Sequence, residues 1–257
     1  LVIAGIFRTI FFQPFWIPSG SMKDTLLIGD FLFVNKMAYG YSYASCPTLR
    51  IAALGIDIDA KDVCGFLDGD NTRLLGSEPE RGDIIVFRHP VQGTDFIKRL
   101  VGLPGDTVQM RDGRLYLNGA PVEVEPAGTF EEVFEPQGPV GIRPRCENGV
   151  VGEGAICKKS RFVETLPNGA SHNILNIGDQ RSDNTGVFRV PEGHYFFMGD
   201  NRDNSTDSRF PQAVGGVGLV PYENLIGRAG RVLFSSSGRS MLFFWTWRGD
   251  RFFEKLD

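Results

Sequence analysis

Histidine is scarce in this sequence, and none of it lies in a catalytic pattern. The 257 residues include three histidines, His89, His172 and His194. A serine nucleophile needs a base to take its proton, and histidine is the usual one. No histidine here belongs to a recognisable triad signature, and no serine lies in a G-x-S-x-G motif. A Ser-His-Asp triad built from distant residues stays possible, but the pattern does not support it.

Excess charge and cofactor motifs are missing as well. Lys and Arg total 27 against 31 Asp and Glu, which gives a net charge of −4. Proteins that bind nucleic acid present a basic surface, so we expect no nucleic-acid partner. The sequence contains no P-loop glycine motif for phosphates and no C-x-x-C spacing typical of metal sites. We therefore expect neither a cofactor nor a metal.

The four cysteines form two closely spaced pairs. Cys46 and Cys64 flank one short segment, and Cys146 and Cys157 flank another. Both enclosed segments are polar and contain Gly or Pro. Two local disulfides, Cys46–Cys64 and Cys146–Cys157, are the economical interpretation, and they would indicate an oxidising compartment. The alternative is four free thiols.

The apolar start of the chain is short. The segment LVIAGIFRTIFF has twelve residues and contains Arg8. At about 1.5 Å per residue it cannot cross a hydrocarbon core of about 30 Å. The following FFQPFW resembles the aromatic belt at a membrane surface, which favours the end of a truncated membrane anchor over an amphipathic core helix. The aromatic tail, residues 239–257, is either a membrane-facing patch or a core strand with a helix.

The remaining composition predicts a mainly β protein with little helix. Gly is frequent at 32 and Pro at 15, which favours short strands and turns. DFLFVNK, RGDIIVFRHP and GHYFFMGD each contain a predicted strand. Asn118-Gly119 lies between apolar runs and suits a two-residue type I′ hairpin. We expect a catalytic β core of several antiparallel sheets with an inserted second β lobe.

Changes in composition divide the chain into five parts. Residues 40–81 are an elaborated segment that contains two cysteines, and residues 112–190 are rich in Gly, Pro and Asn with weak periodicity. The predicted parts are an anchor end at 1–13, a catalytic β core at 14–39, 82–111 and 191–238, the cysteine-containing excursion at 40–81, the second lobe at 112–190 and the aromatic tail at 239–257.

A lysine is the other side chain that can activate a serine. Its ordinary pKa is about 10.4, and burial among apolar groups lowers it. Lys98 lies in DFIKRLVGL, between apolar neighbours. On a strand, Phe96, Lys98 and Leu100 would share one face. The alternative is a lysine whose amine reaches water along the protein surface.

Four motifs in one order resemble the conserved boxes of bacterial type I signal peptidases. They are PSGSM at 18–22, RGDIIVF at 81–87, FIKRLVGLPGD at 96–106 and GDNRDNSTDSR at 199–209. One such motif would be a weak match, but four in order are specific. The family consists of membrane-bound serine proteases that remove signal peptides. The resemblance implies the same activity and a mainly β fold for this chain.

The resemblance also implies a role for each polar residue of the motifs. Ser21 would be the nucleophile and Lys98 the general base. The Ser19 hydroxyl would join the Ser21 amide in an oxyanion hole, and Ser205 would orient the Lys98 amine. In an extended segment the hydroxyls of Ser19 and Ser21 would lie on one face.

The family further implies the substrate and the location. Preprotein signal peptides ending in small residues at −1 and −3 would bind extended along a strand edge, at 96–98 or 15–17. The catalytic domain would lie on the outer, periplasmic face of the bacterial cytoplasmic membrane, against the phospholipid surface and only indirectly linked to the export machinery. Two shallow apolar pockets would be lined by Phe15, Ile17, Pro18, Met22, Leu26, Phe96 and Ile97.

The loop at 199–209 also resembles a calcium-binding loop. Asp203, Ser205 and Asp207 alternate at spacings of two. The loop lacks the glycine at its sixth position, and Val214 stands where the twelfth position needs a glutamate. Internal ion pairs that rigidify the loop are the better interpretation. The expected pairs are Asp207 with Arg209, and Asp200 with Arg99 or Arg202.

Two other functions remain open at this point. One is a related Ser-Lys peptidase that cleaves itself, and the absence of a DNA-binding region counts against it. The other is a non-catalytic envelope protein that binds extended peptides by strand addition, which would need no Ser-Lys pair.

Overall fold

The computed structural model describes most of the chain. It covers residues 11–46, 49–51, 56–58, 60–67, 73–138, 140–149, 151–238 and 243–256. The predicted anchor end at 1–13 lies outside the described residues except for 11–13. Within the described part, no helix is long and apolar enough to cross a bilayer.

Strands dominate the described residues, and one short α-helix, α1 (Ala60–Cys64), accompanies them. The mainly β prediction is confirmed. The strands are β1 (Phe12–Trp16), β2 (Asp30–Asn35), β3 (Leu49–Ile51), β4 (Ile56–Ile58), β5 (Ile84–Arg88), β6 (Asp95–Gly102), β7 (Thr107–Arg111), β8 (Arg114–Leu117), β9 (Ala120–Pro121), β10 (Glu123–Val133), β11 (Ile156–Thr165), β12 (Ser171–Asn176), β13 (Phe188–Arg189), β14 (His194–Met198), β15 (Val220–Pro221) and β16 (Leu225–Ser235). Short 3-10 helices span Lys36–Ala38, Tyr43–Ser45, Gly65–Leu67, Arg181–Asp183, Arg202–Asn204, Gln212–Val214, Tyr222–Asn224, Phe244–Thr246 and Gly249–Arg251.

The largest sheet has seven antiparallel strands in the order β1-β2-β16-β5-β6-β14-β15. Strand β5 pairs with β6 along 95–99, so that Ile85 lies opposite Lys98. On its other side, β6 pairs with β14 only from Arg99 to Gly102. On the β14 side, residues 95–98 of β6 therefore have no neighbouring strand among the residues that the structure describes.

Three smaller sheets complete the fold. One has the order β13-β7-β8-β9, a second has the order β10-β11-β12, and β3 pairs with β4. The β8–β9 hairpin closes with Leu117 opposite Ala120. Its two loop residues, Asn118 and Gly119, have φ angles of 53° and 81°. Positive φ at both positions is the type I′ geometry, so the predicted hairpin is confirmed.

The apolar core is divided into clusters that meet near β6. One cluster contains Ile17, Met22 and Leu26, and another contains Val34, Tyr43 and Ala44 on the side of the excursion. The side chains of Phe15 and Ile97 are half-buried, and each packs against both clusters. The second cluster thus joins the main sheet to the excursion, and Phe15 and Ile97 connect it to the first cluster. The second cluster also receives the side chain of Cys46.

Both predicted disulfides are present. Cys46 bonds to Cys64 and Cys146 to Cys157, and the described residues contain no free cysteine. The first bond ties helix α1 to the excursion segment that packs against the main sheet. The second ties the loop after β10 to β11.

The described part of the aromatic tail, residues 243–256, lies along β16. Trp247 and Lys255 form isolated bridges to this strand and its end, and the Phe234 ring packs on the rings of Trp247 and Phe252. The tail forms 3-10 turns and not the core strand that one interpretation expected. Its exposed aromatic side chains are Phe243, Phe244, Trp245, Trp247 and Phe253.

Candidate active site

Ser21 lies in a tight turn directly after the first core residues. We call residues 19–26 the serine turn. The amide of Lys23 donates to the carbonyl of Gly20 at 3.3 Å, and that of Leu26 to Met22 at 2.8 Å. The side chains of Met22 and Leu26 are buried and anchor the turn in the core. The chain reverses here, between β1 and β2.

The turn nevertheless brings the two serine hydroxyls close together. Ser19 Oγ lies 3.5 Å from Ser21 Oγ. Ser21 is buried, whereas Ser19 is half-buried, so the Ser19 hydroxyl borders the solvent side of the site. The pair thus presents two hydroxyls toward one small region of space.

Lys98 reaches Ser21 from the middle of β6. Its Nζ donates to Ser21 Oγ at 2.7 Å and to the carbonyl of Ile97 at 3.0 Å. The side chain of Lys98 is only 3% exposed, and its amine lies 5.6 Å from the centre of the Phe96 ring. The alternative of a lysine whose amine reaches water is therefore wrong.

Burial changes the acidity of this lysine. It lowers the pKa of Lys98 from 10.5 to about 8, because an apolar environment disfavours the ammonium form. The carboxylates of Asp207 and Asp200 oppose this by favouring the cation. At pH 7.5 roughly a quarter of such amines are neutral, against about one in a thousand at the ordinary pKa. A neutral amine in contact with a serine hydroxyl can take its proton.

The loop 199–209 holds the backbone of the serine turn. The amide of Asn201 donates to the carbonyl of Ser21 at 3.1 Å, and its Nδ2 donates to the carbonyl of Gly20 at 2.8 Å. Both interactions are buried, and they fix the two carbonyls on either side of the Ser21 nitrogen. Sequence reasoning missed this role, although Asn201 lies inside the quoted motif, since no spacing rule links it to Ser21.

Asp200 connects that loop to β6 and to the serine turn. Arg99 donates to both Asp200 oxygens, at 2.9 Å and 2.8 Å, and the Thr25 hydroxyl donates to Oδ2 at 2.5 Å. Although burial raises the pKa of Asp200, the Arg99 guanidinium outweighs it and holds the pKa below its ordinary value. Of the two partners considered for Asp200, Arg99 makes the bidentate pair next to Lys98.

Arg202 pairs elsewhere. It donates through two nitrogens to Glu164 on β11, at 2.9 Å in one of the two contacts. Glu164 also lies 3.3 Å from the imidazole of His172, on β12. Glu164 and His172 were not predicted as partners because they lie in the region of weak periodicity. This network connects the loop 199–209 to the β10-β11-β12 sheet.

Asp207 stabilises the loop from inside. It accepts from Arg209 Nε at 2.9 Å and from the amide of Gly199 at 3.0 Å, as expected of an internal pair with Arg209. Burial raises the pKa of Asp207, but the Arg209 guanidinium prevails and the pKa lies below its ordinary value. Among the described residues, no group of three His, Cys, Asp or Glu side chains is arranged to hold a metal ion.

Ser205 lies beside the serine turn without contacting the lysine. A Cβ added to Gly199 would stand 2.2 Å from Ser205 Oγ and 2.5 Å from the carbonyl oxygen of Ser21. The Ser205 hydroxyl and the Ser21 backbone thus occupy the space that a side chain at Gly199 would fill. The Ser205 hydroxyl lies near the Asp207 carboxylate, whose pKa it helps to lower, and it makes no other hydrogen bond in the described part of the chain. The expected contact between Ser205 and the Lys98 amine is therefore not formed in this structure.

The residues predicted to line the substrate pockets differ in burial. Ile17, Met22 and Leu26 are buried in one apolar cluster. Phe15 and Ile97 are half-buried, and each packs against both this cluster and the next. Of the other two predicted lining residues, Pro18 is exposed. Phe96 packs against a third apolar cluster.

Comparison with known proteins identifies the family. A family model described as "Signal peptidase, peptidase S26" matches residues 1–234. Signal peptidase I of Rickettsia typhi is 38% identical to this chain, with 92% of this chain and 77% of that protein covered. Signal peptidase I of Rickettsia prowazekii is 37% identical over the same shares.

A solved structure is also similar. It is a signal peptidase I from Enterococcus faecalis, at 27% sequence identity and a TM-score of 0.31, with 59% of this chain and 97% of that chain covered. The match to the family model and the identity with the Rickettsia enzymes carry the assignment. This chain is a serine endopeptidase that belongs to the signal peptidase family, peptidase S26.

Proposed function

We propose that this signal peptidase cleaves preproteins through an acyl-enzyme on Ser21, with Lys98 as the general base. The single observation that carries this assignment is the 2.7 Å contact between the buried Lys98 amine and Ser21 Oγ. Hydrogen-bond distance is what proton transfer between base and nucleophile requires. The pKa of about 8 makes the neutral amine available near neutral pH.

The reaction proceeds in two stages. In the first, neutral Lys98 takes the proton of Ser21 as Oγ attacks the scissile carbonyl, and the resulting ammonium then protonates the leaving amine. The mature protein departs, and the signal peptide remains as an ester on Ser21. In the second stage Lys98 takes a proton from a water that attacks the ester. The ammonium returns that proton to Ser21, and the signal peptide leaves with a new carboxylate.

The oxyanion formed in each stage needs hydrogen-bond donors. The Ser21 amide and the Ser19 hydroxyl are the donors that we assign. The 3.5 Å separation of the two serine hydroxyls supports this, because a carbonyl attacked by Ser21 Oγ would lie within reach of Ser19. One such donor contributes about 3 kcal/mol to transition-state stabilisation.

We assign to Ser205 the role of orienting the Lys98 amine when substrate is bound. Its hydroxyl lies next to the Ser21 carbonyl and near the Asp207 carboxylate. Rotation of the side chain toward Lys98 would satisfy this hydroxyl. The other structural support comes from buried ion pairs, which involve Arg99, Asp200, Arg202, Asp207 and Arg209.

The signal peptide binds as an added strand. The open side of β6 at 95–98 supports this, because its backbone groups face the site without a neighbouring strand in the described part of the chain. Side chains at −1 and −3 then point to the same face. Small residues such as those of Ala-x-Ala fit, since the apolar residues below are already closely packed. The lining residues in this proposal are Phe15, Ile17, Pro18, Met22, Leu26, Phe96 and Ile97.

The enzyme works at a membrane surface, on the outer face of the cytoplasmic membrane of a bacterium. Five exposed aromatic side chains in the tail support contact with phospholipid, because aromatic rings favour the membrane–water interface. Both disulfides fit an oxidising compartment. The export machinery delivers the preproteins, and contact with it is indirect.

The other two functions considered have less support. Membership of a peptidase family argues against a non-catalytic peptide-binding protein. A self-cleaving Ser-Lys peptidase would need its own cleavage segment near Ser21, and no feature of the described residues supplies one.

Two substitutions test the assignment. Ser21→Ala and Lys98→Met should each abolish cleavage of a preprotein that ends in Ala-x-Ala, measured as release of the mature protein. Ser171→Ala is the matched control, because Ser171 is exposed and lies on β12. Cleavage by Ser21→Ala at the rate of the control would overturn the nucleophile assignment. The same result with Lys98→Met would overturn the base.

A further inference from the structure

The serine turn is also attached to the second β region by a buried charge cluster. Lys23 follows Ser21 by two residues and donates to Glu132 Oε2 at 2.5 Å and to Gln137 Oε1 at 2.7 Å. Lys159 donates to the other oxygen of Glu132 at 2.6 Å. We call Lys23, Glu132, Gln137 and Lys159 the lysine clamp. It connects the turn to β10, to β11 and to the loop that follows β10.

The clamp is well buried, and its charges do not balance. The side chain of Lys23 is 4% exposed, that of Glu132 10% and that of Lys159 1%. Two ammonium groups share one carboxylate, so the carboxylate is the group that holds both cations in place. Breaking a buried pair by removal of one partner leaves an uncompensated charge. Burial of such an excess charge lowers the free energy of unfolding.

The geometry of Lys23 ties the clamp to the nucleophile itself. Its side chain folds back over Gly20, since a Cβ at Gly20 would lie 3.2 Å from Lys23 Cε. Its amide closes the turn on the Gly20 carbonyl. Nearby, a Cβ on Gly138 would lie 2.8 Å from Ile28, so the loop that carries Gln137 also packs on the segment after the turn. A shift of Glu132 would therefore move the backbone on either side of Ser21.

The clamp complements the hold that Asn201 has on the same turn. Asn201 fixes the carbonyls of Gly20 and Ser21 from the loop 199–209. Lys23 acts on the same part of the turn, because its amide also donates to the Gly20 carbonyl and its side chain lies over Gly20. Asp24 strengthens the attachment, because it accepts from Asn173 at 3.0 Å and from Arg161 at 3.4 Å.

We infer that Glu132 is a positioning residue for the nucleophile, acting through Lys23 on the turn that presents Ser21. Misplacement of a reacting group by about 1 Å can cost about a hundredfold in rate. This inference depends on the proposed role of Ser21. It assigns to the second β region an indirect part in catalysis, since that region supplies the carboxylate that holds Lys23 and, through it, the serine turn.

Substitution of the carboxylate tests the inference. Glu132→Gln should lower kcat for an Ala-x-Ala preprotein at least tenfold per folded molecule and leave KM within about twofold, because the binding edge on β6 is untouched. Glu131→Gln is the matched control, since Glu131 is the neighbour of Glu132 on β10 and pairs with Lys158 in solvent, where both side chains are 52% exposed. The control should keep the kcat of the unchanged enzyme.

A second variant covers failure of the first to fold. Lys23→Met leaves one lysine per carboxylate, so the remaining Lys159–Glu132 pair is balanced and the chain should fold. It should lower kcat like Glu132→Gln, and the double variant should lose no more than the worse single variant, because both changes release the same turn. Near-UV circular dichroism gives the folded fraction for each variant.

The outcomes distinguish the proposed role of Ser21 from the positioning role of Glu132. If Ser21→Ala is inactive while Glu132→Gln and Lys23→Met keep the kcat of Glu131→Gln, the inference is wrong and the proposed function stands. Losses that multiply in the double variant would also overturn it. Retained cleavage by Ser21→Ala would remove the proposed function, and the inference with it.

Discussion

At the scale of single residues, catalysis by Ser21 depends on one amine whose charge the fold disfavours. Lys98 is buried beside Ser21, and burial lowers its pKa to about 8. An exposed lysine would be an equally good hydrogen-bond donor, but it would be protonated and unable to act as a base. The sequence could indicate this lysine through its apolar neighbours, yet only the fold could decide between burial and exposure.

The buried ammonium should cost the protein stability. The pKa of Lys98 is lower in the folded chain than in the unfolded chain, so the unfolded chain binds more protons between pH 8 and 10.5. Lys98→Met should therefore raise the free energy of unfolding by about 3 kcal/mol below pH 8. The gain should shrink from pH 8 to pH 10.5, where the unchanged protein no longer carries the buried charge.

Urea unfolding at pH 6.5 and at pH 9.5 measures this effect. Lys158→Met is the control, because Lys158 is half in solvent and its removal should change the free energy little. An equal gain at both pH values, or none at pH 6.5, would contradict the assigned pKa.

At the scale of elements, two loops that are far apart in sequence form the site together. The loop 199–209 holds the serine turn through Asn201, and it packs on the turn at Gly199. Gly199 has no side chain where Ser205 Oγ and the Ser21 carbonyl approach it. The close approach of these two segments is what this glycine permits.

Gly199→Ala should therefore damage catalysis more than folding. Its new Cβ would lie 2.2 Å from Ser205 Oγ and 2.5 Å from the Ser21 carbonyl, so the nucleophile has to move. We expect kcat/KM for a preprotein to fall about a hundredfold or more. Gly186→Ala is the control, because its Cβ would meet no atom within 4 Å. Equal activities of the two variants would show that the contact at Gly199 is unimportant.

Elements with a local signal were predictable, and those held by distant contacts were not. The Asn118-Gly119 hairpin needs two residues that tolerate positive φ, and the sequence contains both. The shape of the serine turn was not predictable, because PSGSM carries no signal for the bonds that Asn201 makes to it and that Lys23 makes to Glu132. Ser205 was expected on Lys98, but it lies next to Gly199 instead.

At the scale of the whole molecule, the second β region and the aromatic tail are both attached to the catalytic core. Sheet β10-β11-β12 is attached to the site through Glu132 and Glu164. The tail adds exposed rings at the end of β16. The division of the chain into five parts stays a prediction. One apolar cluster joins Val122 and Leu166 of the second lobe to Phe196 and Met198 of the core, so these two parts share packing.

The tail should bind lipid. Phe244 is 68% exposed and Trp245 69% exposed, and their transfer from water is favourable by about 2 kcal/mol each. The double variant Phe244→Ser and Trp245→Ser should lower co-sedimentation with phosphatidylglycerol-containing vesicles about tenfold or more. Phe66→Ser is the control, because this exposed ring lies in the excursion. Equal partitioning of both variants would argue against a membrane-facing tail.

The pH dependence of the first turnover tests most directly whether Lys98 is the general base for Ser21. Enzyme in excess over an Ala-x-Ala preprotein, mixed rapidly between pH 6 and pH 10, reports formation of the acyl-enzyme on Ser21. The account predicts a rate that rises with one ionisation near pH 8, as Lys98 loses its proton, and no cleavage by Lys98→Met at any pH. A rate independent of pH, or a Lys98→Met enzyme that still cleaves, would contradict it.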